Sequence, residues 1–215
     1  MSDKKKKVFF KIVIIGDSNV GKSCLIHRYV KSQYLKDFKP TIGAEFSNKE
    51  VLIDGKIVVT QIWDTAGQER YQSLSTSFYR GADWWAIVFD LTNKDSFDSL
   101  NQWRKDFIKH LSLTSEKYPF VVLGNKWDLK DDIQVKNEDI SKWWEDNGNL
   151  DYIETSAKDN VGVEDAFRVL IKQALKNESE RKLNLPEHIK ITKLSRSDDD
   201  KQNDPNRKKQ KKKWC

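Results

Sequence analysis

Gly16-Asp17-Ser18-Asn19-Val20-Gly21-Lys22-Ser23 carries the spacing G-x-x-x-x-G-K-S directly after an apolar run. In such a loop the main-chain N–H groups and the start of the next helix surround phosphate oxygens. The Lys22 ammonium neutralises the terminal phosphates, and the Ser23 hydroxyl offers a hard oxygen to Mg²⁺. The chemistry implied is the binding of a nucleoside triphosphate, with the base still open. Asn19 stands where a second loop glycine is common. Asparagine is the non-glycine residue most tolerant of positive φ, so the loop is expected to form.

Asn125-Lys126-Trp127-Asp128 follows the apolar run at 120–123. A carboxylate at Asp128 can accept two hydrogen bonds from the N1–H and 2-amino groups of guanine, and adenine has no donors so arranged. A site built around that acceptor rejects a base that leaves it unpaired. The four-residue pattern is weak alone and gains force from Thr155-Ser156-Ala157-Lys158, where the Ala157 N–H can reach guanine O6 and Ser156 can steady Asp128. Trp63-Asp64-Thr65-Ala66-Gly67-Gln68-Glu69 offers Asp64 to Mg²⁺ through water, the Gly67 N–H to a γ-phosphate and Gln68 to an attacking water. Hydrolysis would then be in-line displacement driven by positioning and charge neutralisation. Thr41, in Pro40-Thr41-Ile42-Gly43, would complete the Mg²⁺ shell only when a γ-phosphate is present. Two loops would thus be ordered by the triphosphate and released after hydrolysis.

Such residues need a frame. Short β-branched runs at 8–15, 51–53, 57–63, 84–91, 120–123 and 152–154 read as strands, alternating with helical periodicity at 22–34, 70–80, 96–111, 137–146 and 163–179. Alternation of this kind implies an α/β fold, a six-stranded and mostly parallel sheet with helices on both faces. Asp54-Gly55 marks a hairpin, which makes the second strand an antiparallel edge strand beside the third. The chemistry-bearing segments fall at the carboxyl ends of the parallel strands, where open α/β sheets bind ligands. At 215 residues the chain suits one domain, expected at 8–180 after a basic N-terminus at 1–7, and a tail at 181–215 too polar to bury a core.

Net charge is +6, yet the last eleven residues hold six Lys or Arg and no acid, leaving 33 basic against 33 acidic residues in the rest. The excess belongs to the tail. It suits an anionic surface and does not suggest a nucleic-acid partner. Two cysteines, Cys24 and Cys215, form no disulfide framework and imply a reducing compartment, the cytosol. Lys11 interrupts the first apolar run and no cleavage site follows it, so that run reads as a strand instead of a signal peptide. His27, His110 and His188 lack metal-ligand spacing, and Trp84-Trp85 and Trp143-Trp144 read as packing residues.

GDSNVGKS, PTIGAEF, WDTAGQERY, GNKWDL and TSAK, in this order, resemble the Ras superfamily of P-loop GTPases from residue 8 to about 178. The resemblance implies GTP or GDP with Mg²⁺. It implies nucleotide contacts from Ser18, Asn19, Val20, Gly21, Lys22, Ser23, Cys24, Tyr34, Phe38, Thr41 and Gly67, and from Asn125, Lys126, Asp128, Ser156, Ala157 and Lys158. It makes Gln68 the catalytic residue and Ser23, Thr41 and Asp64 the metal-binding set. Hydrolysis would be slow without an activating protein, and exchange factors, effectors and escort or dissociation-inhibitor proteins are the expected partners of a monomer. Ile42-Gly43-Ala44-Glu45-Phe46, Gln61-Ile62-Trp63 and Phe78-Tyr79-Arg80-Gly81-Ala82 look like the Rab branch. There Ile42, Gly43, Phe46, Trp63 and Tyr79 would form an effector surface, the alternative being that the aromatics are core.

Tyr71-Gln72-Ser73-Leu74, Phe78-Tyr79-Arg80-Gly81-Ala82-Asp83, Pro119-Phe120-Val121-Val122-Leu123-Gly124 and Leu185-Pro186-Glu187-His188-Ile189-Lys190 are similar to the late-endosomal and lysosomal Rab subfamily. That likeness implies a protein cycling between cytosol and the cytoplasmic face of endomembranes in vesicular traffic. The ending departs from the branch, since Lys212-Lys213-Trp214-Cys215 has one thiol instead of two. Either Cys215 is singly prenylated and backed by the polybasic run, or it is unmodified. Two other classes remain beside the hydrolysing switch. A binding scaffold that no longer hydrolyses is opposed by Thr41, Asp64 and Gln68, and an ATPase or kinase by Asp128 and Ala157.

Overall fold

The computed structural model describes residues 7–36, 39–67, 78–111, 120–148 and 150–183. Six strands form one sheet: β1 (Lys7–Ile15), β2 (Ala44–Ile53), β3 (Lys56–Thr65), β4 (Trp84–Asp90), β5 (Phe120–Asn125) and β6 (Asp151–Glu154). The helices are α1 (Lys22–Lys31), α2 (Lys94–Asp98), α3 (Leu100–Leu111), α4 (Asn137–Asp146) and α5 (Val163–Leu183). Strand order is β2-β3-β1-β4-β5-β6, with β2 and β3 antiparallel and every other pair parallel. This is the expected α/β architecture. The chain divides into two compact units, Met1–Lys176 and Asn177–Cys215, and of the second only the end of α5 is described.

The central strands were legible because both their faces are covered. On β4, Trp84, Ala86 and Val88 enter one core with Leu25 and Tyr29 of α1 and Phe167 and Leu170 of α5. Trp85, Ile87 and Phe89 enter the other with Phe97, Leu100, Trp103 and Ile140 of α2, α3 and α4. Both tryptophans of that dipeptide are thus packing residues. On the second dipeptide Trp143 packs partly buried beside Phe97, whereas Trp144 is exposed and donates to the Leu150 carbonyl.

Several expected boundaries move, each for a local reason. β2 starts at Ala44 instead of 51, because an edge strand needs only one covered face and its charged residues give no apolar run. It turns into β3 through Asp54 and Gly55, both at positive φ (49° and 74°), the geometry of a tight hairpin. α1 stops at Lys31, not near 34, where Ser32 adopts the left-handed conformation (φ 56°) and its N–H caps the Arg28 carbonyl. The single helix expected at 96–111 breaks at Ser99 into α2 and α3, with Asn93 accepting from the Asp95 and Ser96 N–H groups as N-cap. α5 continues past 179 to Leu183. The helix expected at 70–80 falls mostly outside the described residues; Phe78 and Tyr79 are helical.

Candidate functional site

The phosphate loop leaves β1 at Gly16 and enters α1 at Lys22. A Cβ on Gly16 would lie 2.2 Å from the Val88 carbonyl oxygen, so the loop sits against β4 with no room for a side chain. Asn19 takes the positive φ its type allows, 64°. Lys22 is buried, and its Nζ donates to the Gly16 and Asp17 carbonyls at 2.8 and 2.7 Å, which folds the ammonium back over the loop. Burial lowers its pKa to about 8, against the opposing pull of Asp64 and Asp17. Ser18, Lys22, Ser23, Pro40, Thr41 and Gly67 share a small cavity. Gly67 reaches it by close backbone approach, since a Cβ there would stand 2.4 Å from the Asp17 carbonyl carbon and the Ser18 nitrogen.

Three oxygen-bearing side chains meet beside that cavity. Ser23 Oγ and Thr41 Oγ1 are 3.0 Å apart, and Thr41 Oγ1 donates to Asp64 Oδ2 at 3.5 Å. Asp64 Oδ1 is buried with no hydrogen-bond partner among the described residues. Burial raises the pKa of Asp64, while Ser23, Lys22 and Thr41 pull it down. A buried, under-coordinated carboxylate oxygen beside two hydroxyls is a donor set of the kind Mg²⁺ takes.

The second cavity, about 510 Å³, shares Asn19 and Gly21 with the first. Cys24, Tyr34, Asn125, Lys126, Asp128, Leu129, Ala157 and Lys158 complete its wall. The Asp128 side chain is 7% exposed; its Oδ1 accepts from Ser156 Oγ at 2.7 Å, and Lys158 Nζ stands 3.7 Å from Oδ2. Asn125 acts as a strap. Its Nδ2 donates to the Val20 carbonyl at 2.8 Å, and its Oδ1 accepts from the Ala157 N–H and from Thr155 Oγ1, each at 3.3 Å. A Cβ on Gly21 would meet that Nδ2 at 2.3 Å, so the strap requires glycine there. Lys126, at φ 66°, sends its ammonium to Asp90 (2.6 Å), which leaves its stem on the cavity wall. Burial pushes the Cys24 thiol up, against thiolate chemistry at that wall.

The five sequence segments therefore converge, with refinements. Val20 is buried in the core and offers the site only its backbone. Phe38, Gln68 and Cys215 lie outside the described residues. Of the expected effector residues, Ile42 (75%) and Phe46 (53%) are exposed, and Phe46 meets Trp63 at 5.3 Å between ring centroids. Tyr79 corrects the expectation: it is 6% exposed and sits edge-on against Trp85, while its neighbour Phe78 stands 5.5 Å from Trp63. Successive helical residues point about 100° apart, so only one of two adjacent aromatics can join an exposed row. Sequence reasoning also missed Asp90, which anchors Lys126, and Trp103, whose indole N–H donates to Asp17 Oδ1 at 2.6 Å from α3. It missed Arg28, whose guanidinium binds the carbonyls of Ala157 and Lys158 at 2.7 Å each. Their partners lie far off in sequence, so no local pattern announces them.

Known proteins share much of this sequence. The profile of the Ras family matches residues 11–176. The chain is 44% identical over 199 residues to "Ras-related protein Rab-7a" of Paramecium octaurelia, covering 92% of this chain and 97% of that one. It is 47% identical over 191 residues to "GTP-binding protein yptV5" of Volvox carteri, covering 88% and 93%. It is 44% identical over 190 residues to "Ras-related protein Rab7" of Cenchrus ciliaris, covering 87% and 92%.

Proposed function

The chain belongs to the Ras family, in its Rab branch, and from that premise we propose that it is a GTP/GDP switch that hydrolyses GTP and recruits effectors in late-endosomal and lysosomal membrane traffic. It is a GTP hydrolase, and its output is the binding of partners that distinguish the two nucleotide states. The observation that carries the guanine reading is the Asp128 carboxylate, fixed by Ser156 in the wall of a cavity that joins the phosphate loop at Gly21. A buried acceptor with free lone pairs favours a base bearing two donors.

In the hydrolytic step the loop's N–H groups and Lys22 hold the phosphates, with Lys22 exchanging its two carbonyl partners for phosphate oxygens. Ser23, Thr41 and Asp64 would hold Mg²⁺, which when bound supplies neutralisation of phosphate charge. Gln68 orients the attacking water, and an activating protein adds the charge that intrinsic turnover lacks. Ile42, Phe46, Trp63 and Phe78 form the surface read by effectors. No described helix is long and apolar enough to cross a membrane. Membrane association rests instead on a prenylated Cys215 and the basic tail, one lipid chain being marginal unless charges assist it.

Nucleotide released from denatured, Mg²⁺-purified protein should be GDP or GTP in near one-to-one amount, with slow conversion of added GTP; ATP in its place would sink the reading. Gln68→Leu should keep GTP affinity and abolish stimulated turnover, and unchanged turnover would remove Gln68 from the mechanism. Cys215→Ser should shift the protein from membrane to cytosol in cell fractionation, and persistence on membranes would assign anchoring to the charges or a partner.

A further inference from the structure

We propose that Arg28 is a positioning residue for base recognition: through a relay of hydrogen bonds it holds the Asp128 carboxylate in its guanine-reading orientation, a role that rests on the guanine reading above. Arg28 lies in α1 and faces the base loop across the sequence. Its Nε donates to the Ala157 carbonyl and its Nη2 to the Lys158 carbonyl, each at 2.7 Å, while Nη1 reaches the Ser32 carbonyl at 3.1 Å. A planar guanidinium presents its donors in a fixed fork, so capturing two consecutive carbonyls sets the orientation of both peptide planes between residues 157 and 159.

The second of those planes carries the Lys158 carbonyl on one edge and the Asp159 N–H on the other. That N–H donates to Ser156 Oγ at 2.9 Å, and Ser156 Oγ donates to Asp128 Oδ1 at 2.7 Å. The relay thus runs from the guanidinium through one peptide unit and one hydroxyl to the carboxylate, and each acceptor in such a chain becomes a better donor to the next. Ser156 has a single proton, and an oxygen already accepting from Asp159 is left to give that proton to Asp128. Asp128 lines the cavity and keeps lone pairs for a base there.

Two further observations make the tie useful. Lys158 Nζ stands 3.7 Å from Asp128 Oδ2, too long to orient the carboxylate by itself. And α1 carries Lys22 and Ser23 in its first turn and Arg28 toward its end, so one helix sets the phosphate end and the base end of the site together.

The test compares release of GDP and of IDP from the full-length chain, wild type against Arg28→Lys and Arg28→Ala. IDP has the same phosphates and N1–H but lacks the 2-amino group, so it makes one of the two hydrogen bonds to Asp128. Arg28→Lys keeps a positive charge on α1 and decides the matter if Arg28→Ala does not fold. The expected result is GDP release faster by about tenfold or more, the scale of losing charge-assisted hydrogen bonds. IDP release should rise distinctly less, so that discrimination between the two narrows, and added guanidinium ion should partly slow GDP release from Arg28→Ala. Equal acceleration of both nucleotides would mean a tie between helix and loop with no effect on base reading, and would overturn the proposal, as would unchanged release. Failure of the wild type to retain either nucleotide would instead overturn the guanine reading itself, and the relay with it.

Discussion

Asn125 shows how one side chain can join two binding surfaces. Its amide spends a donor on the phosphate loop at Val20 and an acceptor on the base loop at Ala157 and Thr155, all of them buried. Asn125→Ala would leave buried main-chain groups unpaired, at a cost of about 1–3 kcal/mol for each group so stranded. We expect faster release of labelled GDP by at least about tenfold, because part of that cost falls on the bound state. A release rate equal to that of the wild type would show that the strap is dispensable. Residues of this kind divide by legibility. Gly16, Gly21, Lys22 and Ser23 are readable because their chemistry needs them within one turn of chain. Arg28, Asp90 and Trp103 are not, because each is an ordinary residue type whose role exists only once a distant loop is brought beside it. Tyr79 was misread for its neighbour Phe78 because two adjacent aromatics do not themselves tell which of them a helix turns outward.

At the scale of elements, the site is a meeting of strand ends, and the proposed metal-binding set illustrates it. Ser23 comes from the first turn of α1, Thr41 from the segment before β2, and Asp64 from the end of β3. Of the three, only Thr41 lies outside the strands and helices, so its contribution can depend on what fills the small cavity. Removing Mg²⁺ with EDTA should speed release of GDP and GTP alike. Thr41→Ala should weaken retention of GTP while leaving GDP release close to wild type, and Ser23→Ala should speed both. Equal effects of Thr41→Ala on the two nucleotides would contradict a contact conditional on the γ-phosphate. The elements themselves were legible in proportion to their coverage. Strands β4 and β5, buried throughout, and the second half of β1, from Ile12 on, announce themselves as apolar runs. β2 is held by its ladder to β3 more than by its own composition, and its first seven residues gave no signal.

For the molecule as a whole, the nucleotide is a structural member. The two cavities are walled by the phosphate loop, α1, the segment at Thr41, the end of β3, and the loops after β5 and β6. A ligand filling both ties together the covered face of the sheet and its loops, and it binds the folded chain alone. Mass action then stabilises the fold by about 4.1 kcal/mol at a free concentration about 1,000 times Kd. At roughly 2–4 °C per kcal/mol for a domain of this size, GDP with Mg²⁺ should raise Tm by about 8–16 °C over the nucleotide-free protein. ADP shares every phosphate contact but presents Asp128 with no pair of donors, so at the same concentration it should give a far smaller shift. The difference between the two isolates the base end from the phosphate end. A shift of equal size with ADP would mean that the carboxylate wall does not read the base, and that the affinity of this fold resides in the phosphate loop alone.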